Sequence, residues 1–198
     1  MALDEFILWV NAETPYKTAK EYIAAVKERS GGDNRMKMGG TGSAQEDQII
    51  TLQLEQALGV KFTYVPFKGG GEVCVNLVGK HIDSTVNNPA ECVSHWKNGT
   101  VRPLAVFDTA RIPVGEWKGI PTVKEALGTD IHYLMLRGIF GAPDMPKEAV
   151  EWYVGFLKKF TIRPTFRNTW KITRSSRPLH RARSTRNGWR RTKSSTVT

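Results

Sequence analysis

Short apolar stretches alternate with amphipathic helical stretches along the first 160 residues of this chain, and glycine or proline separates most of them. Residues 6–11 have the composition of a buried strand, and Ala19, Tyr22, Ile23 and Val26 then recur at helical spacing. Further strands are predicted over residues 36–39, 61–66, 82–86, 103–107 and 133–140, and further helices over residues 43–58, 71–78, 89–96, 121–127 and 146–160. This alternation predicts an α/β sandwich on a largely parallel sheet, with ligands bound beyond the carboxyl ends of the strands.

Two of the predicted helices carry specific signals of where they start or pack. Ser43 and Glu46 have the spacing of a capping box, which predicts that the second helix starts at Ser43. The last helix is predicted to turn an apolar face inward, formed by Val150, Tyr153, Val154 and Leu157.

Charge divides the chain into two parts. The 29 Lys and Arg residues against 19 Asp and Glu give a formal net charge of +10, yet residues 161–198 hold 11 of the basic residues and no acid. The apolar residues of that segment are too scattered to form a face, so it is predicted to be disordered. The chain is therefore expected to consist of an α/β lobe over residues 1–160 and a basic tail over residues 161–198.

Composition excludes several classes of protein. No apolar run reaches the ~18 residues that a membrane-spanning helix needs, so the chain is not expected to be embedded in a membrane. Two cysteines, Cys74 and Cys92, are too few for a disulfide framework or a four-ligand zinc site, and both are expected in the core. The four histidines have neither metal-ligand spacing nor a neighbouring nucleophile. No metal, cofactor or catalytic residue is therefore predicted, and the chain is not expected to be an enzyme.

A glycine-rich turn follows the strand predicted at residues 36–39. Gly40, Thr41, Gly42 and Ser43 stand just before a helix N-terminus, whose free backbone N–H groups favour an anion. The turn has neither the Lys of a Walker motif nor the dinucleotide fingerprint, so a carboxylate is the favoured guest. A tight turn without a ligand explains the same residues equally well.

A second glycine-rich turn lies between the next strand and helix. Lys68 precedes a run of three glycines that begins with Gly69 and Gly70, which indicates a close approach of the backbone to a ligand. Lys68 could add a positive charge there, although an ordinary solvated lysine explains it as well. Asn88 follows a later strand and can either hydrogen-bond a ligand or form a turn. These residues and the first turn make up the predicted ligand-binding site.

Five ordered segments carry a family resemblance. The runs at residues 39–43, 65–71, 78–83, 101–106 and 120–123 resemble the substrate-binding proteins of tripartite tricarboxylate transporters, also called the Bug family. The resemblance extends over residues 1–160 in order and with natural spacing. It implies a periplasmic-binding-protein-like (type 2) α/β sandwich, mainly one lobe with part of the crossover to the other.

The same resemblance implies a function. Members of the family capture a small carboxylate in the periplasm and pass it to the membrane permease subunits of the transporter. They hold the carboxylate largely through backbone amides and ordered waters from two loops. Residues 39–43 would form one of these loops, with residues 68–71 nearby.

The resemblance also implies that the chain is incomplete. The family's signal peptide, most of its first lobe and its other ligand loop have no counterpart here, so a truncated fragment with impaired binding is expected. The basic tail is expected to arise from a frameshift, because shifted codons can encode acidic helical sequence like that of the family. The alternative is a nucleic-acid-associated protein whose tail, with Trp170 and Trp189, contacts phosphates and bases without sequence specificity.

Overall fold

The computed structural model describes residues 2–162, which contain seven strands, six α-helices and one 3-10 turn. The strands are β1 (Ala2–Asp4), β2 (Ile7–Asn11), β3 (Lys37–Thr41), β4 (Thr63–Phe67), β5 (Ser84–Asn87), β6 (Val101–Val106) and β7 (Met135–Arg137). The helices are α1 (Ala19–Arg29), α2 (Glu46–Leu58), α3 (Gly70–Val78), α4 (Pro89–Lys97), α5 (Val123–Leu127) and α6 (Lys147–Ile162), with the 3-10 turn at Gly115–Gly119. Strands and helices thus alternate as predicted through the middle of the chain.

The main sheet is mixed but largely parallel as predicted, because four of its five strands run in the same direction and only β2 is reversed. Its five strands lie in the order β4-β3-β5-β2-β6. Strand β3 is parallel to β4 and β5, whereas β2 is antiparallel to both of its neighbours, β5 and β6. The direction of β2 follows from its entry point, because Ile7 at its start pairs with Asn87 at the end of β5. Strand β2 therefore starts at the side of the sheet where the parallel strands end, and it runs in the opposite direction.

A second, two-stranded sheet pairs β1 with β7 in antiparallel register. Strand β1 precedes β2 by two residues, so this small sheet lies where the chain enters the main sheet. The chain returns to it through β7, after the main sheet is complete. The two sheets therefore meet at the carboxyl end of β5.

Helices cover both faces of the main sheet. Side chains of a strand alternate between faces, so Leu8 and Trp9 of β2 belong to two different core clusters. Leu8 packs in the cluster that contains Met38 of β3 and Leu54 of α2. Trp9 packs in the cluster that contains Leu77 of α3. Burial of each such side chain contributes about 1.5–3 kcal/mol, which fixes the register of β2 in the centre of the sheet.

The two cysteines form a disulfide that the sequence analysis did not predict. Cys74 of α3 and Cys92 of α4 are both fully buried, as expected of core residues. Their sulfur atoms are bonded, and their Cα atoms lie 5.7 Å apart. The bond joins two helices on the same face of the sheet, where Trp9 lies between the sheet and the helical layer.

The apolar face of α6 is exposed, which contradicts the prediction that it packs inward. Val150, Tyr153 and Val154 are 41%, 52% and 43% exposed, and Leu157 is half-buried. The periodicity of these residues was interpreted correctly as helical, but residues 2–162 supply no element that covers them. Residues 163–198, which hold nearly all of the basic tail, lie outside the described residues, so its predicted disorder stays a prediction. Within residues 2–162, every helix is too short or too polar to span a membrane.

Candidate functional site

A cleft with a volume of about 220 Å³ opens at the edge where the two sheets meet. It is lined by the ends of strands, the starts of helices and two apolar side chains near the small sheet, namely Thr41, Gln45, Glu46, Asp47, Gly70, Asn87, Asn88, Glu91, Phe6 and Met135. This is the position beyond the carboxyl ends of parallel strands at which the sequence predicts a ligand.

Three helix N-termini converge on this cleft. Helices α2, α3 and α4 begin after the N-cap residues Gln45, Gly69 and Asn88, none of which caps its helix through a side-chain hydrogen bond. The first N–H groups of an α-helix have no partner within the helix, and they give its N-terminus a charge of roughly +0.5. The backbone donors of α2 and α3 and the positive partial charge of all three N-termini therefore lie at the same small volume. Helix α4 adds fewer donors, because Pro89 has no N–H and the Glu91 N–H donates to the carbonyl of Asn88.

The loop before α2 differs from the prediction. Helix α2 starts at Glu46, so the capping box of Ser43 with Glu46 is wrong. Gly42 and Ala44 both have left-handed backbones, with φ of 61° and 57°. The chain therefore makes an additional turn between β3 and α2, which leaves Ser43 exposed and outside the lining of the cleft.

Several amides of this loop are hydrogen-bonded within the protein. The Thr41 N–H donates to Oδ2 of Asp47 at 2.6 Å, and the Gly42 N–H donates to the carbonyl of Phe67 at 2.8 Å. The Tyr64 hydroxyl donates to the carbonyl of Gly42 at 3.0 Å. A side chain at Gly40 would collide with Tyr64 and with Asp47. These contacts tie the loop to α2 and β4, and they use the amides of Thr41 and Gly42.

Asp47 is a buried carboxyl group at the wall of the cleft. Its residue is only 4% exposed, and burial raises the pKa of its carboxyl group to about 6. The hydrogen bonds from Thr41 act in the opposite direction, whereas the negative charges of Glu46 and Glu91 raise the pKa further. The carboxylates of Glu46 and Glu91 therefore lie close enough to Asp47 to affect its ionisation.

The second glycine-rich turn contributes one glycine to the cleft. Gly70 lines it, and a Cβ atom there would approach Glu91 Cγ to 2.7 Å and Asn87 Oδ1 to 2.8 Å. The side-chain amide of Asn87 donates to the carbonyl of Gly70 at 2.9 Å. Lys68 is exposed and does not line the cleft, and its backbone N–H donates to Glu72. The positive charge considered for this turn is therefore absent from the lining.

Asn88 connects the cleft to the entry of β2. Its side-chain Nδ2 donates to the carbonyl of Glu5 at 2.9 Å, and its backbone N–H donates to Oδ1 of Asn87 at 2.8 Å. Of the predicted site residues, Thr41, Gly70 and Asn88 line the cleft, whereas Gly40 lies in β3 and Gly42 and Gly69 lie in the connections before α2 and α3. The binding roles of all eight stay predictions.

Sequence reasoning missed three acidic residues of the lining. Glu46 and Asp47 open α2, and Glu91 lies in the first turn of α4. Their signal was present in the sequence, because each stands in the first turn of a helix that follows a strand. Neither Lys, Arg nor His occurs among the lining residues, so the side-chain charges of the cleft are negative while its backbone donors are positive.

Comparison with known proteins identifies the family. Residues 1–172 match the sequence model of the tripartite tricarboxylate transporter family receptor, which covers most of the chain. This chain belongs to that receptor family. The resemblance inferred from the five ordered segments is thereby confirmed.

One curated relative and two solved structures are similar to this chain over most of its length. A UPF0065 protein of Cupriavidus necator is 29% identical over 164 residues, which are 83% of this chain and 48% of that protein. A TctC solute-binding protein from Polaromonas, solved without ligand, is 26% identical with a TM-score of 0.67, covering 88% of this chain and 58% of that one. Rpa4515 from R. palustris, solved with adipate, is 20% identical with a TM-score of 0.79. The match covers 90% of this chain and 57% of that one.

These matches confirm the expected fold and class. The matching structures include periplasmic binding proteins, so the chain has the periplasmic-binding-protein-like α/β fold. The relatives are solute-binding transport proteins and not enzymes. The chain spans about half the length of the curated relative from C. necator.

Proposed function

We propose that this chain supplies the ligand-binding lobe of a solute receptor, which binds a small carboxylate in the cleft and delivers it to a membrane permease. One observation carries the proposal, namely the convergence of three helix N-termini without side-chain caps on a cleft of about 220 Å³. Free backbone N–H groups are strong donors to a carboxylate, and the helix dipoles favour its charge. Adipate in the structure of Rpa4515 supports a carboxylate as the ligand class.

The receptor is proposed to work in the periplasm. The Cys74–Cys92 bond supports this location, because disulfides persist in the bacterial periplasm and are rare in the cytosol. The permease follows from the family, which is that of a tripartite transporter receptor. In this scheme the receptor collects the carboxylate and the permease moves it across the membrane.

Binding by this chain is proposed to be weak. The cleft is partly open to solvent, and each exposed contact between an anion and a helix N-terminus contributes about 0.3–1 kcal/mol. Three such contacts fall well short of the ~8 kcal/mol that a micromolar dissociation constant represents. Since a 1 mM dissociation constant represents about 4 kcal/mol, the expected binding is of millimolar strength or weaker.

The proposal can be tested by nuclear magnetic resonance, which measures weak binding and locates it. The 15N-labelled chain would be titrated with small mono- and dicarboxylates, including pentanoate and adipate, while the amide signals of Gly70 and Asn88 are followed. Gly99, which lies outside the lining of the cleft, serves as the reference amide. Pentan-1-ol is the control probe, because it has an alkyl chain of similar length and no carboxylate.

Saturable shifts of Gly70 and Asn88 with at least one carboxylate, without a shift of Gly99, would support the proposal. Equal shifts with pentan-1-ol would show that the cleft only takes up apolar chains. If no carboxylate shifts the two cleft amides even at about 100 mM, roughly a hundred times the concentration that a 4 kcal/mol site requires, the cleft is not a carboxylate site and the proposal is wrong.

A further inference from the structure

We propose that the disulfide between Cys74 and Cys92 positions the cleft, because it holds helix α4 against α3 and thereby keeps the lining residues of both helices in place for a carboxylate. This inference rests on the proposed function and concerns the same cleft. It gives the two cysteines a role in binding, in addition to their contribution to the stability of the fold.

The first argument is where the bond lies in the two helices. Cys74 follows the lining residue Gly70 by four residues, and Cys92 follows the lining residue Asn88 by four. Four residues are about one turn of an α-helix, or ~6 Å along its axis. The bond therefore joins α3 to α4 one turn behind the cleft in both helices, with a Cα–Cα distance of 5.7 Å.

The second argument is that α4 has fewer attachments to the core than α3. The buried residues of α3 are Val73, Cys74 and Leu77, whereas those of α4 are Pro89 and Cys92. Pro89 is the first residue of α4, so Cys92 is the buried residue that fixes the body of the helix. The side chain of cysteine is small, and the covalent bond to α3 is what makes this attachment strong.

Trp96 adds an apolar contact at the far end of α4. Its ring is partly buried and packs against Trp9 and Trp117, with centroid distances of 6.3 Å and 4.4 Å. Trp96 lies eight residues beyond Asn88, about 12 Å along the helix. This contact therefore acts about twice as far from the cleft as the disulfide does.

The two helices touch each other at the cleft. A Cβ atom at Gly70 would approach Cγ of Glu91 to 2.7 Å, so the first turn of α4 lies directly against the start of α3. The Asn88 side chain donates to the carbonyl of Glu5 at 2.9 Å. This hydrogen bond holds the residue before α4 without fixing the direction in which the helix continues. The disulfide, one residue beyond Glu91, fixes that direction.

Loss of the bond is therefore expected to loosen α4 relative to α3 and to lower the affinity of the cleft, since a preorganised site binds its ligand more tightly than a mobile one. A trialkylphosphine breaks the S–S bond by giving two electrons to the sulfurs. One water supplies their two protons and its oxygen, so the products are two thiols and the phosphine oxide. Both cysteines are fully buried, so the chain is reduced in urea and refolded with reductant present.

The experiment compares the oxidised chain with the reduced chain and with Cys74→Ala/Cys92→Ala, each labelled with 15N. Gly59→Ala is the matched control, because it strains a left-handed backbone (φ 64°) outside the lining of the cleft and leaves the disulfide intact. Two quantities are measured for each protein. They are the exchange rates of the amide hydrogens in α1 and α4, and the dissociation constants of pentanoate and adipate from the shifts of Gly70 and Asn88.

Loss of the bond is expected to speed amide exchange in α4 at least about three-fold more than in α1, which packs on the other face of the sheet. The dissociation constants are expected to rise about three-fold or more in the reduced chain and in the double variant. Gly59→Ala is expected to keep the dissociation constants of the oxidised chain, because it lowers stability without a change in α3 or α4.

The outcomes separate this inference from the proposed function. If the reduced chain is folded and binds with unchanged affinity, or if exchange in α1 and α4 rises by the same factor, the inference is wrong while the carboxylate site stands. The inference is also wrong if neither the reduced chain nor the double variant folds, because the bond then supports the whole fold. If the oxidised chain binds neither probe at about 100 mM, the proposed function fails, and the inference fails with it.

Discussion

The carboxylate of Asp47 accepts a hydrogen bond of 2.6 Å from the backbone N–H of Thr41. This contact ties the first turn of α2 to the last residue of β3, across a loop with two left-handed residues. The bond holds the loop closed, but it places a buried carboxyl group beside the charges of Glu46 and Glu91. Ionisation of Asp47 therefore acts directly on the wall of the cleft.

The first prediction concerns the pH dependence of stability. The folded pKa of Asp47 is about 6, against an ordinary value of 3.8, so the folded chain binds more protons than the unfolded chain between these values. Its contribution to stability is therefore full below pH ~4 and is lost as the pH rises through ~6, by up to about 3 kcal/mol. Urea denaturation at several pH values, for the unmodified chain and for Asp47→Asn, measures this contribution.

The difference in free energy of unfolding between the unmodified chain and Asp47→Asn isolates Asp47, because the other titrating groups are common to both. As the pH rises from 4 to 7, the unmodified chain is expected to lose stability relative to Asp47→Asn. A difference that stays constant over that range would show that Asp47 titrates normally in the folded state.

The second prediction compares two left-handed glycines. Gly42 and Gly59 have φ of 61° and 64°, so Gly42→Ala and Gly59→Ala should each lose roughly 1–2 kcal/mol of stability. A Cβ at Gly59 meets no atom within 4 Å, whereas one at Gly42 would approach the Gln45 side chain to 2.5 Å. In Gly42→Ala the Gln45 side chain, which lines the cleft, has to move to make room for the new methyl group. Thermal unfolding and carboxylate titration together test this pair.

Only Gly42→Ala is expected to change carboxylate affinity, because only this variant displaces a side chain from the cleft. Equal affinities in the two variants would mean that the loop before α2 is a turn without a role in binding.

The sequence predicted local features better than long-range ones. The periodicity of Tyr22, Ile23 and Val26 placed α1 correctly, because the buried face of a helix is encoded within a few turns. The direction of β2 was not predictable in this way, since it depends on the pairing of Ile7 with Asn87, 80 residues apart. A strand of buried residues has the same pattern in either direction.

The candidate site was likewise predictable in part. Thr41 is the last residue of β3 and Gly70 the first of α3, and both belong to glycine-rich segments, which signal a strand-to-helix connection in any α/β fold. Glu46 and Glu91 stand 45 residues apart in two helices, and only the order of the strands brings them to one cleft. The exposed face of α6 shows the same limit, because periodicity identifies an apolar face without identifying what covers it.

The third prediction compares two neighbouring glycines at the start of α3. Gly69 has an extended backbone and open space around its Cβ position, so Gly69→Ala should cost less than about 1 kcal/mol. Gly70→Ala places a methyl group against Glu91 and Asn87. Asn87 is 1% exposed and hydrogen-bonded to Gly70, so it cannot move aside easily. Chemical denaturation should show a loss of about 1–3 kcal/mol for Gly70→Ala.

The same pair has a functional expectation. Gly70→Ala should also weaken carboxylate binding, since Glu91 and Asn87 both line the cleft, whereas Gly69→Ala should leave it unchanged. The prediction fails if the two variants are equally stable and bind equally well.

The last prediction concerns the bond between Cys74 and Cys92. It closes a loop with a sequence separation of 18 residues and joins α3 to α4, whose first turns both form the wall of the cleft. A disulfide across a loop of this length stabilises a fold by about 2–4 kcal/mol. Urea denaturation with and without a phosphine reductant should therefore show a loss of that size on reduction.

Cys74→Ala/Cys92→Ala is the control, because reductant should not change its stability. Alkylation of the unfolded, unreduced chain should detect no free thiol, and two reactive thiols per chain would contradict the bond itself. A reduced chain that keeps its full stability would show that packing around Trp9 holds the two helices without the bond.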